Sequence, residues 1–391
     1  MDIQWLVYIP LTFALYIFTN HFLNKLRNLP PSPILNLPIL GHLYLLKKPL
    51  YRSLAKISDR YGPVNLLHFG SRRVLVVASP SAADECLNKN DIIFANRPKL
   101  LSGKYFGYNY TSMAWSSYGD HWRNLRKISA IEILSTHKLQ LLHSIRADEI
   151  RSMIRSLSRD SQGKKLVDMK TVFLELTMNV MMRMMAGKRY YGENVEDAEE
   201  AKRFREIVTE TLRLGGATNL GDFLPVIRWL GVGDAEKSLI EVQNKRDAFL
   251  QELVEECKIR FRSYGGGGGD AAATEGKTKT MIEMMLALQE KEPDYYKDEV
   301  IKSLMLSGSR RNKIVTTKYN QSQVYEANQK GLGVRMVGFG LGSVIQCFDW
   351  ERVGEELVDM TEAVGLTLPR AQPLMASCKV RPVAEKLVSQ I

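Results

Sequence analysis

The sequence predicts a mainly α-helical fold with a small β-sheet, preceded by one N-terminal transmembrane helix. Three observations carry that expectation. Apolar residues recur at the 3.6-residue helical period over most of the chain. Two adjacent runs, residues 64–69 and 73–78, carry the β-branched signature of strands. Residues 3–18 are almost wholly apolar.

In the N-terminal run only Gln4 and Thr12 interrupt residues 3–18, and residues 19–23 extend it to the roughly twenty residues that a helix needs to cross a bilayer. Trp5 and Tyr16 sit near its ends, where amphipathic rings favour the membrane interface. Asp2 precedes the run, and Lys25 and Arg27 follow it, which puts the bulk of the chain on the cytoplasmic side. A cleaved signal peptide is the alternative, but the basic start and small-x-small cleavage site it would want are missing. Residues 1–24 are therefore expected to be a membrane anchor. Residues 25–41, with Pro30, Pro31, Pro33, Pro38 and Gly41, are expected to be a stiff hinge, because proline fixes φ and forbids continuation of the helix.

The two strand-like runs flank Gly70-Ser71-Arg72 and read as a hairpin. Helices are expected at 80–88, 120–133, 135–157, 171–186, 199–213 and 236–262. Met178, Met181, Met182, Met184 and Met185 read as adaptable core rather than as a ligand set. The glycine run 265–269 has neither the preceding strand nor the Lys-Ser/Thr of a phosphate loop, and reads as a flexible surface loop. Helices resume at 280–290 and 298–306. Residues 307–330 are polar and follow neither period, so they are expected to be irregular or disordered. At Gly331 the chain turns abruptly into an apolar, glycine-dotted helix running to Trp350. The expected organisation is thus anchor 1–24, hinge 25–41, main body 42–306, irregular segment 307–330 and C-terminal part 331–391.

The chain has 391 residues, 45% hydrophobic and 25% charged, so it can bury a large core. Its 54 Lys and Arg against 43 Asp and Glu give a net charge of +11. That surplus suits an anionic membrane surface or an acidic protein partner. It is spread along the chain, which argues against nucleic acid as a partner. Cys86, Cys257, Cys347 and Cys378 lack both C-x-x-C pairing and metal-finger spacing, and read as reduced, buried thiols.

The strongest local constellation is His121-Trp122-Arg123-Asn124-Leu125-Arg126-Lys127. On a helix, Trp122 and Arg126 lie one turn apart on one face. An indole N–H beside a guanidinium fork makes a clamp for a carboxylate. A basic surface helix is the other reading. Trp122-Arg123-x-x-Arg126 resembles the W-R-x-x-R element of the cytochrome P-450 haem-thiolate monooxygenases. Further matches fall in that family's order: Pro30-Pro31-Ser32-Pro33 with Pro38 and Gly41, Tyr61-Gly62-Pro63, Phe94-Ala95-Asn96-Arg97-Pro98, Gly331-Leu332-x-x-Arg335 and Ile345-Gln346-Cys347-Phe348-x-Trp350. The wording is most similar to plant microsomal members that hydroxylate flavonoids and isoflavonoids or modify glucosinolates. The resemblance covers residues 1–306 and 331–391, so the fold it implies is an incomplete version of the family's.

The resemblance implies haem b as cofactor, with Trp122 and Arg126 binding its propionates. It implies NADPH-derived electrons from a separate NADPH-dependent flavin reductase, an apolar small-molecule substrate, and residence in the endoplasmic reticulum membrane. Residues 99–118 would cap the substrate pocket, with Tyr105, Phe106, Tyr108, Tyr110 and Trp115 against a flat ligand; ordinary loop packing is the other reading of those aromatics. The family's iron is held by a cysteine thiolate that favours O–O cleavage. Counting four residues back from Gly331 puts Ala327 at that position, and a methyl group cannot ligate iron. The surrounding Phe-x-x-Gly-x-Arg-x-Cys loop, the Glu-x-x-Arg pair and the long helix over the haem find no match between residues 307 and 330. Roughly a hundred residues are missing against typical family length. Cys347 lies about five turns farther on, on the order of 30 Å along a straight helix, and does not replace the ligand. No residue is therefore assigned a catalytic or metal-binding role. Three readings follow: a haem monooxygenase relative that does not hydroxylate, a non-catalytic membrane protein that binds partners, or an unstable product of a skipped or mis-joined exon.

Overall fold

The computed structural model describes residues 3–133, 135–215, 219–229, 234–263, 279–309, 323–363 and 369–391. The chain divides into two compact units. The first comprises residues 1–94 and 218–237, and the second residues 95–217, 238–314 and 322–391.

The first unit begins with α1 (Ile3–Leu26). Its polar side chains bond to carbonyls one turn back: Thr12 to Tyr8 at 2.9 Å, Thr19 to Leu15 at 2.7 Å and Asn20 to Tyr16 at 3.1 Å. Leu11, Leu15, Phe18, Phe22 and Leu26 are exposed. Among the described residues no helix is long and apolar enough to cross a membrane, so the transmembrane helix expected at the N-terminus is not shown. After the proline-rich segment come α2 (Leu50–Tyr61), the expected hairpin of β1 (Val64–Phe69) and β2 (Arg72–Val77), α3 (Pro80–Asp84) and α4 (Asp91–Phe94). The short helix α11 (Pro225–Trp229) also belongs to this unit. Ser79 caps α3 by accepting from the Ala82 N–H, and residues 85–89 widen into a π-turn. Ile57, Leu67 and Phe69 form the core with Leu54, Val74, Val76 and Phe223 around them.

The proline-rich segment folds back onto this hairpin. Leu66 N–H donates to the Pro31 carbonyl at 2.9 Å, Gly70 N–H to Leu40 at 3.1 Å and His42 N–H to His68 at 2.6 Å. Gly41 has φ +63°, and a Cβ there would stand 2.4 Å from the His68 carbonyl oxygen, so only glycine fits the crossing.

The second unit runs through α5 (Leu101–Phe106), α6 (Asp120–Ile128), α7 (Thr136–Leu141), α8 (His143–Gln162), β3 (Val167–Asp168), α9 (Met169–Ala186) and α10 (Ala198–Gly215). It continues with most of α12 (Asp234–Ser263), α13 (Met281–Lys291), α14 (Asp298–Ser309), α15 (Gln323–Cys347), β4 (Phe348–Arg352), β5 (Met375–Val380) and α16 (Glu385–Gln390). Helix α9 is apolar nearly all round because it is buried on two sides. Met178, Met182 and Met185 join one core with Phe249, Leu253, Met285 and Leu304. Leu176, Val180 and Met184 join another with Ile150, Ile154, Leu157 and Phe348. The methionine stripe is core, as its spacing indicates. Thr280 and Glu283 close a capping box at the start of α13.

Several boundaries differ from expectation. The helix expected over 120–133 becomes a π-turn at residues 129–133, and the next expected helix is split between α7 and α8. Residues 307–309 belong to α14, and α15 begins at Gln323, so the backbone at both ends of the segment expected to be irregular is helical. Gln323 to Lys330 holds no Gly or Pro and extends the apolar helix that follows without a break. Residues 310–322, like the glycine run at 265–269, lie outside the described residues. Finally, Phe348, Asp349 and Trp350 are strand rather than helix. They pair antiparallel with β5, which itself sits between β3 and β4 in a three-stranded sheet.

Among the described side chains, the apolar helix α15 packs on one side. Val344 and Cys347 enter the core around Leu142, Met153 and Leu176, and a Cβ at Gly340 would lie 3.3 Å from Leu176 Cδ2. Val334, Val337, Leu341 and Ile345, one face by the helical repeat, are exposed.

Candidate functional site

Helix α6 buries Leu125 and Ile128 and leaves Trp122 and Arg126 half-buried on another side. The Arg126 guanidinium lies 4.5 Å from the centroid of the Trp122 ring, a cation–π pair one turn apart. The two residues singled out from spacing are therefore together. Tyr118 extends the layer, with its ring 5.5 Å from Trp122 and the Arg123 guanidinium 5.2 Å from its own centroid. Arg123 itself is exposed and paired with Asp120.

The start of α6 is fixed from several directions. His121 Nε2 faces the Thr111 carbonyl at 2.8 Å and so carries the proton. Its Nδ1 then accepts from the Tyr295 hydroxyl at 2.9 Å. Asn96 Oδ1 accepts from the Tyr118 N–H at 3.0 Å. The next residue, Arg97, donates Nη1–H to Ala95 O at 3.1 Å, and burial pulls its pKa down. Its Nε is buried without a partner among the described residues. Arg97 lies inside the motif Phe94-Ala95-Asn96-Arg97-Pro98, and burial of its guanidinium cannot be read from that motif.

Three of the aromatic residues expected to line a substrate pocket, Phe106, Tyr108 and Trp115, have close protein neighbours. Phe106 is buried among Leu101, Leu239 and Val242, and the Arg246 guanidinium lies 4.6 Å from its ring. The Tyr108 hydroxyl donates to Asp247 at 2.7 Å, and Lys302 Nζ donates to the same oxygen at 2.6 Å. Trp115 fills the space beside Gly103 and Gly107, where an added Cβ would come within 2.7 Å of its ring. A cavity of about 340 Å³ lies elsewhere, among Asp148, Arg151, Arg155, Arg183 and Arg189, and its charged walls do not suit a flat apolar ligand.

Haem b is the cofactor that the sequence motifs imply, and its two ends fare differently. Trp122, Arg126 and the unpartnered Nε of Arg97 supply the donor chemistry that propionates need. The iron end does not fit. Ala327 brings no donor atom, and its backbone is part of α15 rather than of a loop. Cys347 is 2% exposed inside the core, where burial pushes its thiol pKa up, away from the thiolate that iron requires. Burial likewise raises Cys378, and Cys257 is pushed up to about 11. Among the described residues no cluster of His, Cys, Asp and Glu could hold a metal ion.

Comparison with known proteins matches residues 30–307 to the cytochrome P-450 family. A cytochrome P-450 81Q32 from Catharanthus roseus is 35% identical over 484 aligned positions, which cover 93% of this chain and 94% of that protein. Isoflavone 3'-hydroxylase from Medicago truncatula is 34% identical over 484 positions, covering 92% and 94%. The (+)-piperitol/(+)-sesamin synthase of Sesamum radiatum is 32% identical over 510 positions, covering 98% of each. Each alignment is longer than the 391-residue chain, so each relative carries stretches that have no counterpart here. The family match, the relatives and the Trp122–Arg126 pair agree: this chain belongs to the cytochrome P-450 family.

Proposed function

We propose that this chain derives from a monooxygenase of plant secondary metabolism but does not itself hydroxylate. The relatives' activities support the first half: they include isoflavone hydroxylases and a synthase of the lignan sesamin. The substrate of the complete enzyme would be a flat, apolar, flavonoid-like molecule, and its electrons would come from NADPH through a separate flavin reductase.

One observation carries the second half. Ala327 stands where the family has its iron-binding cysteine, and the cysteines that remain elsewhere in the chain include three buried thiols. With no thiolate on the iron, the electron push that cleaves bound dioxygen has no source. No reaction step is therefore assigned to this chain. Reconstitution with haem, reduction and exposure to carbon monoxide provide the test. The expected spectrum lacks the thiolate-type Soret band; a normal band would restore the enzyme reading.

Residues 1–24 are proposed to anchor the chain in the endoplasmic reticulum membrane with the body on the cytoplasmic side. The exposed Leu11, Leu15, Phe18 and Phe22 support this. Protease protection of the N-terminus in microsomes, with the rest of the chain cleaved, is the outcome that checks it. A second reading, a chain joined across a missing exon, is favoured by the family match ending at residue 307 and by the bare face of α15. Sequencing the transcript across the codons for Leu306 and Gly331 tests it. A non-catalytic role in binding a reductase or a sister monooxygenase predicts enrichment of that partner on purification from membranes.

A further inference from the structure

The geometry points to His42 as an acid-released bracket that holds the proline-rich segment against the β1–β2 hairpin. The ring is 0% exposed, and each of its nitrogens has one backbone partner. His42 Nδ1 lies 2.9 Å from the backbone nitrogen of His68, which can only donate. Nδ1 must therefore be a bare acceptor. Nε2 lies 3.1 Å from the Pro33 carbonyl oxygen, which can only accept, so Nε2 carries the proton. Only the neutral Nε2–H tautomer satisfies both partners. One imidazole thus ties residue 33 to residue 68, alongside the Leu66–Pro31 and His42–His68 backbone bonds.

A second proton from solvent has one place to go, Nδ1. It would set an N–H against the His68 N–H, breaking that bond and leaving a buried cation. No carboxylate is among the groups that act on it. The groups that act on His42 are the Pro33 carbonyl and the His68 ring, 5.7 Å away. His68 is in turn opposed across the hairpin by Arg73. Tyr44 follows His42 on its own turn and bonds to the Leu35 carbonyl. Residues 29–41 contain no titratable side chain. Burial chiefly, and then His68, hold the His42 pKa below its usual value, while the Pro33 bond works against them. The sign follows. The bracket is intact above the ordinary histidine value of about 6.5, and its contribution is lost as pH falls below it toward the depressed folded-state value.

The test is hydrogen exchange on the full chain in detergent, read for residues 29–42 and the His68 amide, with α8 and α9 as controls. After correction for intrinsic rates, the wild type should lose roughly tenfold protection in that segment between about pH 7.5 and pH 5, while the control helices hold. His42→Gln, a neutral side chain with one acceptor and one donor, should keep its protection at both pH values. Imidazole nitrogen shifts of the wild type should show neutral Nε2–H at the higher pH. The inference is overturned if protection does not change with pH, if His42→Gln loses it as the wild type does, or if the ring protonates while the segment stays protected.

Discussion

Glu149 has 1% of its side chain exposed and is held by Arg183 at 2.6 Å and Arg189 at 2.6 Å. Removing the carboxylate would leave two half-buried guanidinium groups facing each other. Glu149→Ala is expected to cost about 3 kcal/mol of unfolding free energy in a urea titration. Asp298, in the first turn of α14, is also partly buried, which alone would raise its pKa. Bonds from Gln289, Lys258 and Gln251 and the Lys258 charge override that and lower it to about 2. Its folded-state value lies below the unfolded one, so its stabilisation is present above about pH 4 and is lost as pH falls through about 2. The stability gap between wild type and Asp298→Asn, measured by urea unfolding, should close over that interval. Of the candidate site, Trp122 and Arg126 are legible in the sequence because a four-residue spacing on a helix is itself a statement about proximity. Arg97 is not, since nothing local to residues 94–98 says that its guanidinium is buried. For Phe106, Tyr108 and Trp115 the sequence shows that they are aromatic, not that Val242, Asp247 and Gly103 lie beside them.

Among the elements, α6, α8, α10 and α12 are legible because each has one apolar stripe and a long enough run to show its period. Strands β3, β4 and β5 are not. They are two, five and six residues long, and β3 finds its partner β5 only far along the chain. The π-turn at 129–133 is invisible because its sequence, Ser-Ala-Ile-Glu-Ile, continues a helical pattern. In α15 the glycines separate into two kinds. Gly340 is buried with Leu176 at 3.3 Å from its notional Cβ, whereas Gly338 and Gly342 face open space. Gly340→Leu should therefore overpack the contact with α9 and destabilise by about 1–3 kcal/mol. Gly338→Ala should stabilise by up to about 1 kcal/mol, because it removes backbone freedom and meets nothing. Thermal unfolding of the two variants side by side checks both signs.

At the scale of the whole molecule, the exposed face of α15 dominates the outlook. Val334, Val337, Leu341 and Ile345 form a contiguous apolar strip of the kind that drives self-association when nothing covers it. Leu341→Glu with Ile345→Glu should reduce light scattering of the detergent-free body without lowering its melting temperature, since neither side chain contributes to the core. A fall in melting temperature would mean that the strip is packed. The three-stranded sheet has a consequence of its own for biosynthesis. Its middle strand, β5, is made long after β3 and shortly after β4. During translation β3, between α8 and α9, stays unpaired until the ribosome has released residues 375–380, so this edge of the second unit is the last to close.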